Sequence, residues 1–254
     1  MLAYETTGEG PPLMLLHGTN SSRSIWRDLS RELSTDRKVF SVDLPCHGAS
    51  PPTSHTPPEW AREVAELLDY LGLPRVAVVG HSSGGWTALE LAKLGRASAV
   101  LALTPAGLWL RHSPPVTDAV LAVNWYLGRM LGKAVTMPLR SRLGRRIGLR
   151  QISARPSEVP TDVAVEMVET MLSSANFPEH FKQTRRIRFK DGALIDPGVP
   201  VRVVWGTEDR IARARASRHR EQLPEHARIE TWSRCGHMVM WDSPRRLADL
   251  ARTL

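Results

Sequence analysis

The sequence has few cysteines, no long apolar run and no leader-like amino terminus. Only two of its 254 residues are cysteine, Cys46 and Cys235, so a disulfide scaffold is excluded and we expect free thiols. No apolar run approaches the roughly 18 residues of a membrane-spanning helix, so we expect no stable membrane insertion. The opening "MLAYETTGEG" lacks a basic region followed by an apolar one. We therefore expect no secretory signal and a cytoplasmic location.

Other absences narrow the chemistry. No set of histidine, cysteine and carboxylate residues has metal-ligand spacing, and no glycine-rich phosphate loop occurs, so we expect neither a metal nor a cofactor. The formal net charge is +8, and 29 of the 34 basic residues are arginines spread through the chain without a nucleic-acid-binding motif. We therefore expect no nucleic-acid partner. The densest basic cluster, "RSRLGRRIGLR" at 140–150, is interpreted as a solvated surface, with guidance of acidic substrates or lipid headgroups as the alternative.

Short apolar runs alternate with helical patterns over most of the chain. Helical patterns at 24–33, 59–71 and 86–94 separate runs such as "PLMLLHG", "KVFSVDLP", "RVAVVGHS" and "SAVLALTPA". These runs lack polar alternation, which is typical of parallel strands covered on both faces. The alternation predicts an α/β fold with a mostly parallel sheet flanked by helices.

The alternation stops at residue 108 and resumes at 194. The segment 108–193 carries helical patterns over 116–131, 161–174 and 178–189, joined by basic linkers, and no convincing strand. The strand pattern then returns in "VPVRVVWG" and "ARIETW", with a helical stretch around 212–223 and a closing helix at 244–254. We therefore predict a core of residues 1–107 and 194–254 with a helical cap inserted at 108–193.

A candidate nucleophile follows the strand "RVAVV". In "VVGHSSGG" two serines are adjacent, but only Ser82 has a glycine both two residues before it, Gly80, and two residues after it, Gly84. A serine at the tip of a sharp turn from strand to helix is held in a strained conformation, and its neighbours pass too close for side chains. The helical pattern "GGWTALELAKL" follows. The flanking glycines and the position between a predicted strand and a predicted helix both indicate Ser82 as the nucleophile.

A serine hydroxyl needs a histidine to take its proton and a carboxylate to orient that histidine. Of nine histidines, His237 is favoured because "SRCGHMVMWDSP" places it in a loop between the last strand and the last helix. Three other histidines are less suitable. His81 is expected to point away from the turn, and His219 and His226 are interpreted as surface residues. Asp209 is preferred to Glu208 as the acid at the end of "VRVVWGTEDR".

The chain resembles the α/β-hydrolase family. The resemblance rests on "LLHGTN", "DLPCHGAS", "GHSSGG", "LTPAG", "WGTEDR" and "GHMVMWDSP", which occur in the family's order. It implies a helical cap at 108–193 and an oxyanion hole formed by the backbone N–H groups of Thr19 and Ser83. We also expect substrate contacts at Asn20 and Met238. The family's usual first, antiparallel edge strand is expected to be absent.

Several marked residues have structural interpretations. His17 is expected to brace the oxyanion loop, and His47 to be a turn residue. Cys46 is rejected as a nucleophile because we expect neither a sharp turn nor a general base beside it. Large apolar side chains of the cap are candidates for an apolar substrate pocket, although most are expected to pack within the cap: Trp109, Trp125, Tyr126, Met130, Met137, Met167 and Met171.

The predicted function is hydrolysis of small to medium apolar carboxylic esters through an acyl-enzyme. Within the family, a serine at this turn argues against the haloalkane dehalogenase and epoxide hydrolase branches, which use an aspartate there. Two alternatives stay open: a carbon–carbon bond hydrolase of the meta-cleavage product type, and a binding protein without turnover. Met238 stands where the carbon–carbon hydrolases tend to carry a tryptophan, which counts against that branch. Thioester hydrolysis, perhydrolysis and acyl transfer to an alcohol use the same three residues, and the sequence does not separate them from ester hydrolysis. The oligomeric state and the physiological substrate also stay open.

Overall fold

A computed structural model describes residues 1–174 and 177–254 and shows one seven-stranded sheet. The strand order is β1-β3-β2-β4-β5-β6-β7. All pairings are parallel except that of β1 with β3. In chain order the strands are Tyr4–Thr7 (β1), Pro12–Leu16 (β2), Lys38–Val42 (β3), Val76–His81 (β4), Ala97–Leu103 (β5), Val201–Gly206 (β6) and Arg228–Trp232 (β7).

Both faces of the sheet are covered, as the continuous apolar runs predict. In β4, Val76 and Val78 face one core with helices α2 (Pro57–Tyr70) and α3 (Ser83–Lys93), whereas Ala77 and Val79 face a second core. Helices α1 (Arg27–Leu33) and α10 (Pro244–Arg252) cover that second face, to which they contribute buried leucines. The α/β class with a mostly parallel sheet is therefore confirmed.

The expectation of a missing antiparallel edge strand is wrong. Strand β1 pairs antiparallel with β3, Tyr4 opposite Val42 and Thr7 opposite Val39. Its residues are polar and largely exposed, so the sequence carries no apolar signal for it. The strand is defined by its hydrogen-bonded partner, which pattern reading along the chain does not reveal.

Helix α2 begins two residues before the predicted residue 59 and ends one residue before the predicted residue 71. It starts with a capping box in which the Glu59 carboxylate accepts a hydrogen bond from the N–H of Thr56 at 3.0 Å. Gly72, with φ of +68°, follows the end of the helix. The start and stop signals of this helix are therefore local to the sequence.

The helices after β6 are shorter than the patterns predict. The helical stretch predicted around 212–223 is confirmed only in part, because it consists of the short helix α8 (Ala214–Ser217) and a 3₁₀ turn at Arg220–Gln222. A short helix α9 (Val239–Asp242) then precedes α10, which ends two residues before the predicted end at 254.

Segment 108–193 is called the insert below. Its described residues contain no strand and five helical elements before the 3₁₀ turn Gly192–Leu194, which begins at its end. They are α4 (Pro115–Leu131), a 3₁₀ helix (Gly132–Arg140), α5 (Arg142–Gly148), α6 (Thr161–Ser173) and α7 (Phe177–Thr184). The basic stretch interpreted as a linker is thus mostly helical, and α7 ends before the predicted residue 189. The insert has its own apolar cluster, formed by Leu139, Leu149, Val159, Ala164 and Val168.

Candidate functional site

The turn between β4 and α3 holds Ser82 in a strained conformation. Its φ of 54° and ψ of −117° lie outside the regions that non-glycine residues usually adopt. A Cβ atom on Gly80 would collide with the carbonyl oxygen of Gly84, and one on Gly84 would collide with those of Leu16 and His17. The two glycines therefore permit the turn, and Ser82 is left partly exposed to a cavity.

Asp209 and His237 meet beyond the ends of β6 and β7. His237 Nδ1 lies 2.9 Å from Asp209 Oδ2, while Oδ1 accepts hydrogen bonds from the N–H groups of Ile211 and Ala212. Burial raises the pKa of Asp209, but the His237 charge and these hydrogen bonds outweigh it and hold that pKa below its usual value. An ionised Asp209 accepts a hydrogen bond from the Nδ1–H group of His237, which leaves the lone pair of Nε2 free to act as a base.

Ser82 and His237, the predicted nucleophile and the predicted base, line the same cavity. Within residues 1–174 and 177–254, no hydrogen bond joins Ser82 Oγ to His237 Nε2. Such bonds are often long without substrate and shorten when it binds. The His237 carbonyl accepts hydrogen bonds from two side chains, His81 Nε2 at 3.0 Å and Thr104 Oγ1 at 3.2 Å, and from the N–H of Val239 at 3.1 Å.

His81 points toward the site, contrary to expectation. Its ring centroid lies 4.8 Å from that of His237. The alternation of β4 puts His81 on the same face as Ala77 and Val79, where the His237 loop also packs. Burial, followed by the charge of His237, lowers the pKa of His81 to about 3, so its ring stays neutral. His81 thus holds the His237 backbone in place.

Thr19 and Ser83 lie side by side next to Ser82. A Cβ atom on Gly18 would lie 2.9 Å from Ser82 Cβ, so the loop after β2 passes directly against the serine. Ser83 begins α3, where backbone N–H groups have no partner within the helix. The hydroxyl oxygens of Thr19 and Ser83 are 2.6 Å apart. Thr19 and Ser83, the predicted donors of the oxyanion hole, therefore both lie beside Ser82.

His180, which the sequence did not single out, extends this contact into the insert. His180 Nδ1 donates to the His55 carbonyl at 2.6 Å, and Nε2 lies 2.8 Å from Thr19 Oγ1. Burial, followed by the charge of His47, lowers the pKa of His180 to about 3. In the neutral ring Nε2 is an acceptor, so the Thr19 hydroxyl donates to it and the Ser83 hydroxyl donates to Thr19. A directed chain of hydrogen bonds thus joins α7 to the loop beside Ser82.

Asn20 and Met238 both line the cavity. Asn20 has φ of 58°, and its N–H donates to His47 Nε2 at 3.1 Å, so His47 supports the loop rather than serving only as a turn residue. Within the described part of the chain, the buried Asn20 Oδ1 has no hydrogen-bond partner. His17, the expected brace, accepts from the N–H of Leu44 at 3.0 Å.

The cavity has a volume of about 400 Å³ and a mostly apolar lining. Three of the candidate side chains of the insert line it: Trp109, Met167 and Met171. Trp125 is buried against Phe177, with ring centroids 5.5 Å apart. The other three are exposed on the outer surface of the insert: Tyr126, Met130 and Met137.

Asp242 is a second residue that the sequence did not single out. Its buried carboxylate accepts hydrogen bonds from the N–H of Gly236 at 2.7 Å, the N–H of Ala154 at 2.9 Å and the Ser153 hydroxyl at 2.7 Å. Next to it, the N–H of Met238 donates to the Ile152 carbonyl at 2.8 Å. The insert and the loop that carries His237 are therefore joined directly.

Cys46 and Cys235 are both free and buried. The expectation that Cys46 has no base nearby is wrong, because His55 Nδ1 lies 3.3 Å from its sulfur. Burial nevertheless raises the pKa of the Cys46 thiol to about 11, so it is protonated near neutral pH and is a poor nucleophile.

Comparisons with known proteins agree with this fold. The model of the alpha/beta hydrolase family matches residues 13–250. Epoxide hydrolase EphH of Mycobacterium tuberculosis (strain ATCC 25618 / H37Rv) is 31% identical over 209 residues, covering 75% of this chain and 90% of that protein. The chain therefore belongs to the alpha/beta hydrolase family.

Two solved structures show the same fold. A thermophilic esterase from Thermogutta terrifontis superposes with a TM-score of 0.73 at 21% identity, covering 99% of this chain and 92% of that one. A meta-cleavage product hydrolase from Pseudomonas fluorescens IP01 gives a TM-score of 0.70 at 20% identity, covering 98% and 92%.

Proposed function

We propose that this protein is a serine hydrolase that cleaves carboxylic esters of small to medium apolar substrates through an acyl-enzyme. The observation that carries the proposal is the Asp209–His237 hydrogen bond of 2.9 Å, made beside the cavity that Ser82 also lines. The apolar lining from the insert suits an acyl or aryl group. Met238, beside the proposed base, and Asn20 Oδ1, an acceptor without a partner among the described residues, are the proposed substrate contacts.

In this mechanism Ser82 Oγ attacks the ester carbonyl carbon while His237 Nε2 takes the hydroxyl proton. The ionised Asp209 stabilises the resulting imidazolium through Nδ1. The carbonyl oxygen becomes an oxyanion, which the N–H groups of Thr19 and Ser83 stabilise; each such donor contributes about 3 kcal/mol in another hydrolase. The tetrahedral intermediate then collapses, and His237 returns the proton to the leaving alcohol. A water molecule, deprotonated by His237, releases the acid from Ser82.

The relationship to EphH does not transfer epoxide chemistry to this chain. Family members of the epoxide hydrolase branch use an aspartate at the sharp turn, where this chain has Ser82. A serine ether formed by epoxide opening offers no carbonyl for water to attack, whereas a serine ester does. We therefore expect ester cleavage and no epoxide turnover.

A cytoplasmic location stays a prediction from the sequence.

The test is hydrolysis of p-nitrophenyl esters from acetate to palmitate by the wild type, Ser82→Ala and the neighbouring control Ser83→Ala. We expect a short- to medium-chain optimum and a loss of about a millionfold in kcat for Ser82→Ala, the magnitude measured when another serine hydrolase loses its nucleophile. Ser83→Ala keeps the backbone N–H and should retain most activity. A fluorophosphonate should label Ser82 alone, as read by mass spectrometry.

The other outcomes distinguish the alternatives. Equal activity of Ser82→Ala and wild type would contradict the proposal outright. If the folded wild type cleaves no ester but bleaches a vinylogous diketone acid, the carbon–carbon hydrolase is the correct branch. Tight ligand binding without any product would indicate a binding protein.

A further inference from the structure

The outer surface of the insert combines exposed apolar side chains with uncompensated positive charge. Residues 119–157 contain eight basic residues and no acidic one, so these 39 residues carry a charge equal to the formal net charge of the whole chain, +8. Six of the basic side chains are exposed and, within the described part of the chain, form no ion pair: Arg129, Lys133, Arg140, Arg142, Arg146 and Arg150.

The same stretch holds most of the exposed apolar groups. Eight of the 14 large apolar side chains that are exposed in the described residues lie within 119–157. On α4 they recur at the spacing of one helix face: Val123, Tyr126, Leu127, Met130 and Leu131. The 3₁₀ helix and α5, which pack on each other, add three more: Met137, Leu143 and Ile147. These three and Met130 are 65–73% exposed. Exposed apolar groups of this density mark interaction sites.

This surface, called the basic apolar face, is continuous with the cavity. Leu127 and Leu131 are exposed on α4 and also line the cavity beside Ser82. An apolar molecule arriving at the basic apolar face therefore meets a path of apolar side chains that leads inward.

We propose that the basic apolar face docks on the surface of a bilayer that contains anionic phospholipids. The exposed cations match the negative surface potential of such a bilayer, and the apolar side chains fit the boundary between headgroups and acyl chains. A second copy of the chain is disfavoured because a symmetric contact through this face would oppose two stretches of like charge. Nucleic acid would satisfy the cations but leave the apolar side chains in water. In the described part of the chain no helix has the length and apolarity to cross a membrane, so the docking is peripheral.

The experiment is co-sedimentation of Ser82→Ala protein with two kinds of vesicle, phosphatidylcholine alone and phosphatidylcholine mixed equally with phosphatidylglycerol. We expect binding to the mixed vesicles only, weakened by salt. A triple change of Arg140, Arg142 and Arg146 to Gln should lower the partition coefficient about a hundredfold, from roughly a fivefold loss for each cation near the surface.

Two further variants give the proposal its specificity. The matched control changes Arg62, Arg75 and Arg245 to Gln, three exposed arginines of the core that form no ion pair among the described residues, and should bind like the parent. A change of Met130 and Ile147 to Gln should weaken binding without altering its salt dependence. Thermal unfolding of each variant confirms that it is folded.

Three results of the binding assays would overturn the inference. They are absence of binding to the mixed vesicles, an equal loss of binding in both arginine triples, and tighter binding to duplex DNA than to vesicles. A concentration-dependent dimer that the Met130 and Ile147 changes abolish would assign the face to a second copy instead. Hydrolysis of soluble esters is measured separately, so failure of vesicle binding and failure of the proposed function give different results.

Discussion

Asp209→Asn is the most informative single change, because it preserves shape and removes charge. The retained Asn oxygen can still accept the two N–H bonds from Ile211 and Ala212, at 2.8 and 2.9 Å, so the turn should stay folded. The new amide nitrogen faces His237 Nδ1 in place of the carboxylate oxygen that lay 2.9 Å away. Two donors then oppose each other, and the ring relieves this by moving its proton to Nε2. In that tautomer His237 has no lone pair directed at Ser82.

The magnitude follows from two losses. Opposite charges about 4 Å apart interact by about 4 kcal/mol at an effective dielectric constant near 20, which removes that stabilisation from the imidazolium. The lost hydrogen bond to a charged group adds about 1.5 kcal/mol. Together they correspond to a fall of about 10⁴ in kcat, which equals the effect of the corresponding change in another serine hydrolase.

The assay is p-nitrophenyl ester hydrolysis under saturating substrate, and Glu208→Gln is the control. Glu208 is the neighbouring carboxylate that the sequence left as the alternative, and it is partly exposed. We expect Glu208→Gln to keep kcat within a few-fold of wild type. Loss of less than tenfold in Asp209→Asn, or a larger loss in Glu208→Gln, would refute the assignment of Asp209.

Three further predictions concern buried polar groups. The pKa values of His47, His81 and His180 are lowered from 6.5 to about 4, 3 and 3, so the unfolded chain binds protons before the folded chain as pH falls below 6.5. The free energy of unfolding should therefore drop by about 2 kcal/mol per histidine between pH 7 and pH 5. Urea titrations at the two pH values measure this drop, and an unchanged stability would contradict the prediction. His180→Phe keeps a ring that stacks on Trp60 but removes the hydrogen-bond acceptor for the Thr19 hydroxyl. We therefore expect kcat for p-nitrophenyl acetate to fall about tenfold with KM nearly unchanged. A change confined to KM would show that His180 does not position the oxyanion loop. Asp242→Asn places an amide against the backbone N–H groups of Ala154 and Gly236 and should lower the free energy of unfolding by about 2–3 kcal/mol. A stability within about 0.5 kcal/mol of wild type would argue that Asp242 does not join the insert to the His237 loop.

The sequence predicts the parts of the fold that depend on local signals. Apolar runs identify the six parallel strands, and the helical pattern at 59–71 locates α2, which Gly72 follows. The candidate nucleophile is also local, since Gly80 and Gly84 flank Ser82 in a motif. The roles assigned to Ser82, Asp209 and His237 stay predictions until activity is measured.

Contacts between distant segments are what the sequence does not reveal. Strand β1 is short and polar, so only its pairing with β3 defines it. His180 lies 161 residues from Thr19, and nothing in its neighbours "PEHFKQT" indicates that partner. The face of the sheet toward which the His81 side chain points follows from the alternation of β4. That face can be assigned only when the register of β4 in the sheet is known.

The hydrogen bonds around Asp242 limit how this protein can be recombined with its relatives. The carboxylate binds Ala154 in the insert and Gly236 beside the proposed base, and both contacts require the backbone of each segment at a fixed distance. An insert exchanged alone would bring a foreign backbone to this junction and shift the loop that carries His237. A functional chimera must therefore inherit residues 152–155 and 236–242 from the same parent.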